Sequence, residues 1–216
     1  MPSITAVITS YGYRDFLAQA IDSVLSQTVI PDDILVVDDG KHDGCAEVAR
    51  RYKLRYIERE SNLGIIKNYN DILYNHVHTE NMFILAADDY INPLYVEKMN
   101  VEGYDIISCD ITLIGEYAFK STLRKKNSYK DGYYIWNFKP GRTISHANYI
   151  HGSSIYNVDK AMEVGYSGIR GRTGGRRLQE DWMLYRGMIK NGAKHLHISE
   201  PLLYYRRHRI NINGMY

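Results

Sequence analysis

Apolar positions in this chain follow two alternating rhythms. Ile4 to Thr9 is a short β-prone run that Ser10-Tyr11-Gly12 breaks. From Phe16 the apolar residues fall at Phe16, Leu17, Ala20, Ile21, Val24 and Leu25, a helical stripe that runs out near Gln27-Thr28. Ile34-Leu35-Val36-Val37 predicts a second strand, ending in Asp38-Asp39-Gly40. Asp43 can cap a helix to about Tyr52, Leu54 to Glu58 is a third strand, and Ser61-Asn62-Leu63-Gly64 is a turn. Ile65, Ile66, Tyr69, Ile72 and Leu73 make the next helical stripe. Phe83 to Ala87 carries no polar alternation, which predicts a strand buried on both faces, and it runs straight into Asp88-Asp89. Asn92-Pro93 reads as an N-cap with Pro at the first helical position, opening a helix over about 93–101, and Asp105 to Cys109 is a further strand. Such alternation predicts an α/β fold with a mostly parallel central sheet and helices on both faces.

After Cys109 the pattern loosens into what reads as a small mixed C-terminal part. Residues 115–150, rich in Tyr, Lys, Asn and Gly, suit short antiparallel strands and loops. Val158 to Val164 is a short helix, Ser167 to Arg177 has the Gly/Arg composition of a mobile loop, and Glu180 to Lys190 is amphipathic with Gly192 placed as its C-cap. His195 to Ile198 and Leu202 to Tyr205 read as short closing strands around Pro201. With no internal repeat and no linker, 1–216 reads as a single domain.

Composition narrows the classes. At 216 residues, 44% hydrophobic and 24% charged, the chain is an ordinary globular one. It has no apolar run of membrane-crossing length, and Met1 to Ser10 lacks the features of a signal peptide, so a cytoplasmic location is expected. Cys45 and Cys109 have no metal spacing and suit reduced structural thiols. Residues 1–110 hold 9 Lys+Arg against 18 Asp+Glu, a balance of −9, while residues 111–216 hold 18 against 7, a balance of +11. An acidic half able to hold a divalent cation and a basic half able to hold phosphate suit a phosphorylated substrate. Basic residues also serve nucleic acid or an anionic membrane surface, and charge alone does not choose.

The candidate chemistry centres on Asp88 and Asp89. Because Asn92 supplies the next helix with its own cap, both carboxylates are spared that task. Side by side they repel unless a cation sits with them, and hard oxygen ligands suit Mg²⁺ or Mn²⁺; solvated turn aspartates are the competing reading.

Eight stretches taken together resemble glycosyltransferase family 2, the inverting nucleotide-sugar transferases of GT-A fold. They are Val7-Ile8-Thr9-Ser10-Tyr11, Ala20 to Thr28, Val36-Val37-Asp38-Asp39-Gly40, Asn62-Leu63-Gly64, Ala87-Asp88-Asp89, Gly152-Ser153-Ser154, Glu180-Asp181-Trp182 and Tyr204-Tyr205-Arg206-Arg207-His208. They keep the family's order, and the opening is similar to the spore-coat polysaccharide transferases within it. The resemblance implies a GT-A domain with a Rossmann-like sheet, 1–110 being the nucleotide-binding half and 111–216 the acceptor side. It implies transfer of a hexosyl group from a UDP- or dTDP-linked donor to a saccharide or lipid-linked acceptor, with Mn²⁺ or Mg²⁺ as cofactor and no nucleic acid as partner.

Site roles follow from the same resemblance. Thr9 and Tyr11 match positions that hold the nucleotide, Asp39 the acceptor of the base's imide N–H, Asp88 the ribose contact and Asp89 the metal ligand. The family often has a further acidic residue one or two places earlier, where this chain has Ala87 and Ala86. Asp181 matches the catalytic base; for Glu180 and Asp181 the competing reading is compensation of a helix dipole. A helix N-terminus favours the carboxylate form and so weakens Asp181 as a base unless burial or Glu180 opposes it. His208 follows two arginines where relatives place a histidine against metal or diphosphate, and a surface imidazole is the alternative. His151 and Glu180 are candidate acceptor or diphosphate contacts. Arg170 and Arg177, with Arg172 and Arg176 among glycines, suit either a loop closing on diphosphate or a solvated surface loop. Arg124-Lys125-Lys126 and Lys130 are candidates for peripheral membrane contact. A nucleotide-sugar-binding protein that has lost transfer, and a nucleic-acid binder, are the rival functions.

Overall fold

The computed structural model describes residues 1–116, 128–130, 133–135, 150–168 and 180–208. Eight strands form one sheet in the order β3-β2-β1-β4-β9-β6-β10-β5. They are β1 (Ile4–Ser10), β2 (Asp33–Asp38), β3 (Arg55–Glu58), β4 (Asn81–Ala86), β5 (Tyr90–Ile91), β6 (Ile106–Ile114), β9 (Ile155–Asn157) and β10 (His195–Arg206). A separate antiparallel pair joins β7 (Ser128–Lys130) to β8 (Tyr133–Ile135). The helices are α1 (Arg14–Leu25), α2 (Cys45–Tyr52), α3 (Ile65–Asn75), α4 (Tyr95–Met99), α5 (Val158–Met162) and α6 (Glu180–Lys190).

The period-2 geometry of a strand divides the sheet's side chains between two cores. Ile4, Ala6 and Ile8 of β1, Ile34 and Val36 of β2 and Phe83 and Leu85 of β4 pack with α1, α2 and α4. Their neighbours Val7, Leu35, Val37, Met82 and Ile84 pack on the other face with α3, α5 and α6. A sheet covered on both sides needs apolar residues at every position, which is why these strands read as unbroken runs.

β1 pairs in parallel with both β2 and β4, and β2 with β3, so chain order reverses at β1. The crevice at such a reversal opens at the carboxyl ends of the strands. Beyond β4 the sheet turns mixed: β9 inserts antiparallel between β4 and β6, β6 runs parallel to β10, and β5 lies antiparallel on β10.

Two local expectations change. Instead of two closing strands, β10 is one strand of 12 residues whose register shifts on either side of Pro201. Pro201 has no N–H to give, and β5 covers β10 only at Leu203 and Tyr204, so the proline sits where the ladder is least complete. α4 starts at Tyr95 rather than Pro93, because Asn92 first closes a turn in which its Oδ1 accepts from Leu94 N at 3.0 Å. Neither aspartate is used as the cap. Asp43 closes onto the Cys45 N–H at 3.3 Å, with Gly44 left-handed between them. Gly192 does close α6: its N–H reaches Ile189 O and that of Ala193 reaches Met188 O, both at 3.0 Å, the paired bonds of a Schellman end. Among the described residues, no helix is long and apolar enough to cross a membrane.

Candidate functional site

Three parallel strands deliver polar residues to one edge. Thr9 and Ser10 end β1, Asp38 ends β2 with Asp39 next, and Asp88 and Asp89 follow β4. Backbone bonds draw the edge together: Asp39 N–H donates to Ser10 O and Ala87 N–H to Thr9 O, both at 2.9 Å. Asp38, Asp39, Asp88 and Asp89 are all buried.

Around Asp39 the packing is tight. Gly40 is left-handed, and a Cβ there would lie 2.6 Å from the Ser61 carbonyl carbon, so only glycine lets the 61–64 turn come this close. That approach lets Leu63 N–H donate to Asp39 Oδ1 at 3.0 Å. Burial raises Asp39 above the usual carboxylate range, while the backbone N–H groups of Leu63 and Gly64 and the Arg59 charge pull it down. Asp38 serves the turn, its Oδ1 accepting from Gly40 and Lys41 N–H. Tyr11 is 39% exposed, with Lys41 Nζ 5.6 Å from its ring centroid.

Asp88 and Asp89 sit between α1 and the end of β10. Asp88 Oδ2 lies 3.0 Å from His208 Nε2, and Asp89 Oδ1 accepts the Arg206 backbone N–H at 2.7 Å. His208 is thus brought to Asp88. Its ring stands edge-on to Tyr13, centroids 5.5 Å apart, and 5.3 Å from Phe16, which fixes its direction. Desolvation and the Asp88 charge lift Asp89 well above its ordinary pKa, against the pull of Arg206 and Arg207.

Asp181 is the second residue of α6. A Cβ on Gly152 would come within 3.3 Å of Asp181 Oδ2, so glycine lets the 150–154 loop approach that carboxylate closely. Gly152 is itself pinned: Tyr185 hydroxyl donates to Gly152 O at 3.1 Å, and Tyr95 hydroxyl donates to Ser153 O. Burial raises Glu180 above its usual value. Tyr69 of α3 joins the two sides, because its hydroxyl neighbours the Thr9 side chain and feels the charges of Glu180 and Asp181. His151 is buried beside β6, its Nε2 accepting from Cys109 N–H at 3.3 Å, while Nδ1 has no hydrogen-bond partner among the described residues. Desolvation drives it down to about 3, so it supports the 150–154 loop as a neutral ring. Arg170 and Arg177, with Arg172 and Arg176, lie outside the described residues, as do Arg124, Lys125 and Lys126.

Among the described residues, one group of three potential metal ligands gathers within 4.8 Å: Asp38, Asp43 and Cys45. Burial pushes the Cys45 thiol up to about 12, which keeps it protonated beside Ser10 Oγ at 3.2 Å. Asp88, Asp89 and His208 are a looser set of harder donors.

Sequence reasoning gave Tyr69, Gly152 and Arg206 no individual role. Tyr69 looked like one more apolar position of a helical stripe, and Arg206 one of several arginines; only their cross-chain contacts single them out.

A model of the family described as glycosyl transferase family 2 matches residues 5–165, about three quarters of the chain. Among curated proteins, the chain is similar to glycosyltransferase GlyA of Streptococcus pneumoniae, 27% identical over 55% of this chain and 17% of that protein. It is also similar to the putative glycosyltransferase EpsE of Bacillus subtilis, 22% identical over 93% of this chain and 72% of that one. For the first relatives, then, it spans a minor part of their length. Of solved structures, S. aureus TarS 1-349 in complex with UDP-GlcNAc superposes with a TM-score of 0.71 at 14% identity, over 99% of this chain and 61% of that one. Mannosyltransferase PcManGT from Pyrobaculum calidifontis, in complex with GDP-Man and Mn²⁺, gives 0.65 at 15% identity, over 97% and 58%. The mixed α/β sheet therefore has the GT-A fold of these neighbours, and the chain belongs to glycosyl transferase family 2.

Proposed function

We propose that this glycosyltransferase is metal-dependent and inverting, and moves a sugar from a UDP- or dTDP-linked donor to an acceptor hydroxyl in glycan or polysaccharide synthesis. One observation carries the reading: the Tyr69 hydroxyl neighbours Thr9 at the nucleotide edge and feels Glu180 and Asp181 from the other side. That neighbourhood supports a reading in which the candidate base and the donor carboxylates serve one cleft. The neighbours' complexes with UDP-GlcNAc and with GDP-Man and Mn²⁺ support a nucleotide-sugar donor and a divalent ion.

In this reading Asp39 accepts the base's imide N–H, a task for an acceptor-only group. Tyr11 offers an exposed ring for stacking, Thr9 lies against the nucleotide, and Asp88 takes the ribose hydroxyls. A divalent cation would suit the acidic turn. Two adjacent buried carboxylates, one held well above its usual pKa, are a pair that a cation relieves. Asp89 and His208 are the ligands proposed for it, with Asp88, whose Oδ2 lies 3.0 Å from His208 Nε2, beside them. Such an ion supplies, when bound, positive charge against the departing diphosphate.

Asp181 takes the proton of the attacking acceptor hydroxyl, from the face opposite the leaving group that inversion requires. Gly152 leaves room beside Asp181 Oδ2 for that hydroxyl. Arg170 and Arg177 belong to the segment proposed to meet the diphosphate, and 111–216 as a whole to the acceptor side.

A thermal-shift panel of UDP, dTDP and GDP with their sugars, with and without Mn²⁺, tests the reading. A uracil- or thymine-containing ligand that stabilises the chain only with Mn²⁺ is the expected result. Stabilisation by none of them would end it, and binding without donor hydrolysis or transfer would favour a protein that holds nucleotide sugars without acting on them.

A further inference from the structure

Arg206 fixes the acidic turn, and no role above uses it. From the last position of β10 its backbone N–H donates to Asp89 Oδ1 at 2.7 Å and its Nε–H to the Asp88 carbonyl at 2.7 Å. Its Nη2 donates to Gln19 Oε1 of α1 at 2.6 Å, and the guanidinium carbon lies 4.8 Å from the Phe16 ring centroid. One residue therefore ties α1, β10, the Asp88 carbonyl and the Asp89 carboxylate.

The turn needs such a tie. It leads into β5, a strand of two residues held by β10 at Tyr204 and Leu203 alone. Within the turn itself, Asp89 N–H donates to Ala86 O at 2.9 Å, and the Asp88 carbonyl belongs to the same planar peptide unit, so the Arg206 bond secures the opposite edge of that plane. Two like charges in sequence repel, and turning of that plane would move both side chains.

We infer that Arg206 is a positioning residue: its guanidinium locks the Asp88 carbonyl and so holds the two carboxylates toward the ribose and diphosphate of a bound nucleotide. The inference rests on the donor reading proposed above. A planar fork suits the task because Nε and Nη2 bond different elements at once, which a lysine ammonium cannot reproduce. Arg206→Met isolates the fork, since it keeps the backbone bond to Asp89 and an apolar stem over Phe16.

Titration calorimetry with UDP in Mn²⁺, and with uracil in its absence, separates this from a general structural role. A hydrogen bond from a charged donor is worth enough that Arg206→Met should weaken UDP binding about tenfold or more, leaving uracil within about twofold. Arg206→Lys should lose less, and Gln19→Ala, which frees only Nη2, about two- to threefold. UDP binding within about twofold of the parent in Arg206→Met, or parallel losses of UDP and uracil, would overturn the inference. Should Arg206→Met fail to fold, the same split in Arg206→Lys and Gln19→Ala decides. A parent protein whose UDP binding ignores Mn²⁺ overturns the donor reading itself, and does so before any substitution is made.

Discussion

Gly187 lies in the middle of α6, where an alanine would ordinarily favour the helix by about 1 kcal/mol. Here the opposite outcome is expected. A Cβ at 187 would stand 2.4 Å from Val164 Cγ1, 3.2 Å from its Cγ2 and 3.4 Å from its Cβ. Carbon atoms rest about 3.5–4.0 Å apart, so α6 and the segment after α5 must separate by roughly an ångström. Val164 has little rotamer freedom with which to yield. Overpacking of this kind costs about 1–3 kcal/mol, leaving Gly187→Ala a net loss of roughly 1 kcal/mol after the helix gain. For a chain of this size that is a fall in Tm of about 2–4 °C by scanning calorimetry. Val164→Ala in the same protein removes both γ-methyls and should restore most of the loss. Because α6 begins at Glu180-Asp181, Gly187→Ala should also lower turnover more than donor affinity. A Tm above the parent's would show that α6 and Val164 are not packed as described.

Two further outcomes follow from the same geometry. Gly152→Ala places a methyl 3.3 Å from Asp181 Oδ2, and should cut donor hydrolysis or transfer by about tenfold while leaving the UDP binding constant unchanged. Stability should fall on acidification: burial, reinforced by neighbouring imidazoles, lowers His151 from 6.5 to about 3 and His195 from 6.5 to about 4. The unfolded chain takes up those protons near pH 6.5 and the folded chain does not, so stability is complete above pH 6.5 and drops through the window below it. The slope approaches about 1.4 kcal/mol per pH unit for each histidine, and His195→Gln should flatten it between pH 6.5 and 4, as read from urea midpoints.

Much of the architecture is legible because burial on two faces leaves a plain mark. β1, β2 and β4 are unbroken apolar runs, and each ends in the polar residues that the sheet then gathers at one edge, so the neighbourhood of Thr9, Asp39, Asp88 and Asp89 can be read from run endings alone. β5 and β9 escape that reading. Two or three residues are too few to show a period, and Tyr90-Ile91 and Ile155 to Asn157 are strands only because β10, β4 and β6 are there to pair with them. Pro201 suggested a break for a similar reason: the chain shows the missing donor but not the short partner that tolerates its absence. In the site, the hidden part is long-range. Tyr69 stands 60 residues from Thr9 in sequence and more than a hundred from Asp181, and the Arg206–Asp89 bond spans 117 positions. Neither spacing is periodic, so no local pattern could announce it.

The division of labour between the donor carboxylates and Asp181 is the claim most worth testing. It is met most directly by measuring UDP-sugar affinity and turnover together for the parent, Asp89→Asn and Asp181→Asn in Mn²⁺. The account predicts that Asp89→Asn loses the metal-supported part of donor binding, and that Asp181→Asn binds donor as the parent does but transfers no sugar. Transfer by Asp181→Asn at the parental rate would contradict it.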